Sequence, residues 1–110
     1  MEKPQIHQKV YDFMCWFFPI VDNFPKFEKF ALCTRIKNTI LDIEREILRA
    51  NKSRNKLPHL DEIDLMLEEL RLLIRFSHER KYLSDKKYSN SAKKVDEIGR
   101  MLGGWIKSCK

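Results

Sequence analysis

Apolar residues recur along this chain at steps of three and four, the repeat that gathers side chains on one face of an α-helix. Ile6, Val10, Phe13 or Met14, and Phe17 make the first stripe, predicting a helix from about Pro4 to Phe18. Pro4 suits a first turn, whereas Pro19 lacks an N–H and crowds the preceding turn, so it is expected to kink or stop the helix. Asp22-Asn23-Phe24-Pro25 reads as a turn, with Asp22 or Asn23 available to cap a second helix and Pro25 near its start. Phe27, Phe30 or Ala31, Cys33 or Thr34, Ile36 or Lys37, Ile40, Ile43 and Ile47 supply that helix with a face, clearest over Ile36-Ile40-Ile43-Ile47. It is expected to reach Ala50 or Asn51, roughly 25 residues and on the order of 37 Å. Asn51 to Pro58 then forms a polar joint.

A third stripe comprises Ile63, Met66 or Leu67, Leu70, Leu73 or Ile74, and Ser77. It predicts a helix from near Asp61 to about Tyr82, with Asp61, Glu62 and Asp64 favourably placed in its first turn. Ser84 reads as the cap of a fourth helix, whose Tyr88, Ala92, Val95, Gly99, Leu102 and Ile106 form the most bundle-like repeat of the chain. Gly99 weakens that helix unless close packing requires its missing side chain. Gly103-Gly104 are read through, because Trp105 and Ile106 keep the phase. Four helices with short connections imply an all-α fold, an antiparallel up-down four-helix bundle forming a single domain over 1–110.

Charge adds a second pattern. The chain of 110 residues carries 22 Lys+Arg against 16 Asp+Glu, a net charge of +6. The excess is concentrated: residues 26–56 and residues 78–110 each hold nine basic and four acidic side chains, while residues 57–77 are net −3. Two basic blocks make a positive surface only if folding brings them together. Cys15, Cys33 and Cys109 have no short pair spacing, so they read as free thiols in a reducing compartment, with Cys15 and Cys33 semi-buried. No segment has the apolar length of a membrane span or the shape of a secretion signal. A cytoplasmic location and no membrane partner are therefore expected.

Catalytic chemistry finds little footing. His7, His59 and His78 share no ligand spacing, and neither Cys-x-x-Cys nor His-Glu-x-x-His occurs, so no metal and no cofactor is expected. No nucleophile elbow or phosphate-binding glycine loop is present, and Glu68-Glu69 and Asp96-Glu97 read as solvated helix faces. The basic residues are the better candidates. Arg71, Arg75 and His78 follow a helical spacing, continued approximately by Lys81 or Tyr82. Lys86, Lys87, Lys93 and Lys94 add charge on the fourth helix, and Lys52, Arg54 and Lys56 add it at a bundle end. Such side chains grip phosphate oxygens without reading bases. The alternative is that Arg71 and Arg75 pair with Glu68, Glu79 or a neighbouring subunit. Cys15, Trp16, Phe17 and Phe18 form an apolar run wider than one buried stripe, which suggests a subunit contact. Ordinary core with a partly exposed Trp16 is the other reading.

Tyr11-Asp12-Phe13, Trp16, Pro19, Phe24-Pro25-Lys26, Asn51-Lys52-Ser53-Arg54-Asn55-Lys56 and, above all, Glu97-Ile98-Gly99-Arg100-Met101-Leu102-Gly103-Gly104-Trp105 resemble the accessory variability determinant (Avd) family of diversity-generating retroelements. The chain is also similar to the wider four-helix-bundle family that includes proteins encoded in 23S rRNA intervening sequences. The resemblance spans nearly the whole chain. It implies a non-catalytic accessory that assembles as a homopentamer and binds a reverse transcriptase together with template-repeat RNA or cDNA. On that resemblance Arg71, Arg75 and His78 are candidate contacts for nucleic acid or the enzyme, and Trp16, Phe17, Phe18 and Trp105 are candidate oligomer contacts. An intervening-sequence-type protein would instead be a structural oligomer or interaction module.

Overall fold

The first helix outruns its proline. The computed structural model describes residues 4–110, and α1 extends over Pro4–Asp22 with Pro19 inside it. Pro19 is exposed, so the Cys15 carbonyl it fails to bond lies on the water side. Burial of Val21 holds the added turn. Asn23 caps this helix rather than the next: its side-chain amide donates to the Pro19 carbonyl at 3.2 Å. Asp22 instead forms an ion pair with Lys37.

The expected second helix is broken at its start. Lys26–Glu28 is a 3₁₀ turn and Lys29–Cys33 a π-helical turn, and regular α2 covers only Thr34–Lys52. Leu32 and Cys33 enter the core from the π turn, followed by Ile36, Ile40, Ile43, Ile47 and Ala50. Phe27 and Phe30 do not follow them, for a geometrical reason. At about 100° per residue, the nine residues from Phe27 to Ile36 rotate the face by half a turn, so the two cannot share one side.

The joint to α3 is shorter than expected. The helix begins at Leu57, with Pro58 tolerated in its first turn, and runs to Glu79. Asp61, Glu62 and Asp64 therefore fall beyond the first turn. Lys56 closes the joint, its ammonium donating to the carbonyls of Ala50 at 2.9 Å and Ser53 at 2.8 Å. A cation at a helix C-terminus satisfies orphan carbonyls and opposes the dipole there.

α3 stops in a Schellman turn. Tyr82 N–H bonds to the Ser77 carbonyl and Lys81 N–H to that of His78, both at 2.9 Å, with Lys81 in the left-handed region at φ 68°. Ser84 then caps α4, its hydroxyl accepting from Lys87 N–H at 3.1 Å. The last helix, Asp85–Ser108, passes through all three glycines.

Each helix packs on its neighbours in sequence, and α1 closes the ring against α4. With such short joints the helices alternate in direction, giving the all-α antiparallel up-down four-helix bundle. It measures 42 × 25 × 20 Å. The core contains Val10, Phe13, Phe17, Ile36, Ile40, Ile47, Leu60, Leu67, Leu70, Ile74, Val95, Ile98 and Leu102. No described helix is long and apolar enough to cross a membrane.

Candidate nucleic-acid interface

The basic side chains singled out in the sequence divide into three groups. The row on α3 is largely engaged within the chain. Arg71 donates from Nη1 to Glu68 at 3.0 Å and lies 3.4 Å from Asp96 through Nε. Its guanidinium occupies the space that Gly99 leaves open: a Cβ there would sit 2.7 Å from Nη2. A Cβ would displace only the flexible end of the Arg71 side chain, so close packing favours this glycine without requiring it, and Arg71 ties α3 to α4. Arg75 lies 3.6 Å from Glu79 but remains largely in solvent. His78 stacks on Tyr88, the ring centroids 4.1 Å apart and 7° from parallel, while its Nε2 meets Asp85 at 2.7 Å. The intrachain pairing weighed for Arg71 and Arg75 is therefore the arrangement found.

The second group stands free at the end of the bundle where α1 meets α2 and α3 meets α4. Lys81 sits in the α3–α4 joint, and Lys86 and Lys87 lie in the first turn of α4. All three are exposed, with no ion pair among the described residues. Further along α4, Lys93 is exposed and Lys94 lies 4.9 Å above the Trp16 ring, a cation–π contact that joins α4 to α1.

The third group does not join them. Lys52, Arg54 and Lys56 occupy the α2–α3 joint at the opposite end, separated from Lys81 by the length of α3, about 33 Å. Lys52 and Arg54 are exposed, but Lys56 is the helix cap described above and presents little free charge. The basic block 26–56 is thus divided: Lys26 and Lys29 lie at the bundle end that holds Lys81, Lys86 and Lys87, while Lys52, Arg54 and Lys56 form a separate patch.

The aromatic candidates also divide. Phe17 is 0% exposed, so the subunit contact expected of it is corrected: its ring is stacked on Phe13 at 5.0 Å inside the bundle. Trp16, Phe18 and Trp105 are half-buried against the core. Of the thiols, Cys15 is exposed and Cys33 buried, in contrast to the semi-buried setting expected for both. Burial pushes the Cys33 thiol pKa upward, with Lys37 opposing the shift, and its Sγ donates to the Val21 carbonyl at 3.6 Å.

Two surface features escaped the sequence reading. At the joint-rich basic end, Phe27 and Phe30 project into solvent beside Lys26 and Lys29. The alternation Lys26-Phe27-Glu28-Lys29-Phe30 was the available signal. On the outward side of α3, Leu65, Leu72 and Phe76 form an exposed apolar stripe, whose spacing of seven and four keeps them on one face. Glu62 and Glu69 border it. Among the described residues no three His, Cys, Asp or Glu side chains gather in a metal-holding group.

Residues 5–109 match the family model described as bAvd-like. No curated protein matches the chain.

Proposed function

Because this chain belongs to the bAvd-like family, we propose that it is a non-catalytic accessory of a diversity-generating retroelement. It binds the reverse transcriptase and template-repeat RNA or cDNA, supporting mutagenic reverse transcription from the cytoplasm as a homopentamer of single-domain bundles. The family match over residues 5–109 carries this reading. The exposed cations at the two ends of the bundle support it, because a polyanion is drawn to uncompensated Lys and Arg. Arg75, Lys81, Lys86, Lys87 and Lys93 are the best placed of the proposed contacts. Lys52, Arg54 and Lys94 come next; Arg71, His78 and Lys56 contribute by holding helices together.

Co-purification with the reverse transcriptase encoded beside the gene tests the partner, and RNA binding measured across a salt series tests the surface. Joint Lys86→Ala and Lys87→Ala substitution is expected to weaken RNA binding at fixed salt, with helicity unchanged. The salt slope should fall by about 1 for each phosphate no longer neutralised. Unaltered affinity and slope in the folded variant would remove this surface from the proposal. Light scattering reads the assembly, and a stable monomer contradicts the pentamer.

The second reading, a structural oligomer or protein-interaction module of the intervening-sequence type, draws on the Leu65-Leu72-Phe76 stripe. An apolar surface with acidic neighbours suits a protein contact better than RNA. Retained partner association after nuclease treatment, together with negligible affinity for free RNA, would select it.

A further inference from the structure

Phe27 is 74% exposed and Phe30 87%, although the bundle has buried the other phenylalanines wholly or in part, apart from Phe76 on α3. The passage from 3₁₀ turn to π turn holds both rings outward. Such π turns occur frequently at functional sites. Cations surround the rings. Lys29 Nζ lies 5.5 Å from the centroid of Phe30, and Lys26 precedes Phe27 in the chain. Tyr82 meets Phe27 edge-on at 6.5 Å and has Arg80 over its own ring at 6.0 Å, which brings the α3–α4 joint to the same place. The adjacent acids are occupied: Asp22 by Lys37, and Glu28 by the Tyr82 hydroxyl, which donates to it at 2.8 Å. An open groove of about 430 Å³ runs beside Phe30, with Lys26, Lys29 and Lys37 in its wall.

We propose that this end of the bundle binds single-stranded nucleic acid, with unpaired bases stacking on Phe30 and Phe27 while Lys26, Lys29 and Arg80 hold the flanking phosphates. The inference rests on the nucleic-acid reading above and adds the class of strand and the residues that distinguish it. Every base has a π-face, so exposed aromatic rings among cations grip a single strand without selecting its sequence. A duplex keeps its bases stacked inside and offers these rings nothing beyond its backbone. A second copy of this chain is the competing occupant. In a ring of five the patch would meet a different surface of its neighbour, and the assembly size read alongside binding separates that occupant from a strand.

Fluorescence anisotropy with labelled oligouridylate, an abasic strand of equal length and an RNA duplex, all at one salt concentration, tests the site. Wild-type protein is expected to bind oligouridylate more tightly than the abasic strand. Phe30→Ala weakens oligouridylate binding on the order of tenfold, the worth of about one stacked base, and leaves the other two probes unaffected. Phe30→Trp keeps the affinity, and its indole emission is quenched by the strand. Equal oligouridylate affinity for wild type and Phe30→Ala overturns the stacking site while leaving the proposed function intact. Failure of wild-type protein to bind any probe overturns both. A smaller assembly in light scattering for Phe30→Ala, with equal weakening on every probe, assigns the rings to self-contact and overturns the proposal.

Discussion

Glu44 is the least comfortable side chain in the bundle. It lies buried on α2, and its Oε1 has no hydrogen-bond partner among the described residues. His7 Nε2 lies 3.6 Å from it. Burial raises the Glu44 pKa above its ordinary 4.5, and His7 only partly opposes the shift. A carboxyl whose folded pKa is raised stabilises the fold most below its unfolded value and loses that contribution as pH rises through the folded one. Glu44→Gln is therefore expected to raise the melting temperature at pH 7 and to lose that advantage below about pH 4.5. Thermal unfolding of both proteins by circular dichroism across this range checks it; equal melting temperatures at pH 7 contradict it. Residues whose roles depend on their immediate neighbours are legible in the sequence: Ser84 caps α4 as its position suggests. Those defined by distant partners are not. Glu44 looks like any helix-face acid, and the alliance of Arg71 with Asp96 over Gly99 needs two helices in register.

Helix ends show the same division at the scale of elements. The Ile36-Ile40-Ile43-Ile47 face is plain because its steps average the helical period, whereas the run of threes back to Phe27 drifts around the axis. Pro19 fails to break α1 because a solvent-facing proline leaves a carbonyl that water can satisfy, while Val21 is available to hold the next turn. The end of α3 reads as lying near Tyr82 because no glycine precedes it as a stop signal. Lys81 nevertheless takes the left-handed position that glycine fills at most Schellman turns. A side chain there costs about 1–2 kcal/mol, so Lys81→Gly is expected to stabilise the fold by roughly 0.5–1 kcal/mol after glycine's greater unfolded-state entropy is counted. Urea midpoints measure this directly, and a destabilised variant would show that the lysine side chain contributes packing which outweighs its backbone strain. Because the same substitution removes one exposed cation, RNA affinity of the variant also separates the backbone role of Lys81 from its proposed binding role.

At the scale of the whole molecule, the bundle and its topology are legible because each stripe needs a partner and the joints are too short for anything but alternation. The charge map is not, since the sequence records basic blocks but not which ends of which helices they occupy. Folding divides the first block between the ends of a rod 42 Å long, Lys26 and Lys29 joining Arg80 and Lys81 at one and Lys52 and Arg54 standing at the other. At one of those ends the Tyr82 hydroxyl reaches Glu28 across 54 positions of sequence. Each helical hairpin, α1–α2 and α3–α4, is made of local contacts and can form early, whereas this bond exists only after the two have docked. It therefore acts as a latch whose release frees two connections at once. Native-state amide exchange at residues 26–30 and 80–84 is expected to proceed through a shared opening, and Tyr82→Phe should hasten both segments together. Acceleration of only one would mean that the connections open independently. For the single-strand site proposed at Phe27 and Phe30, the latch makes geometry a report on folding: the stacking surface is assembled only when the molecule is whole.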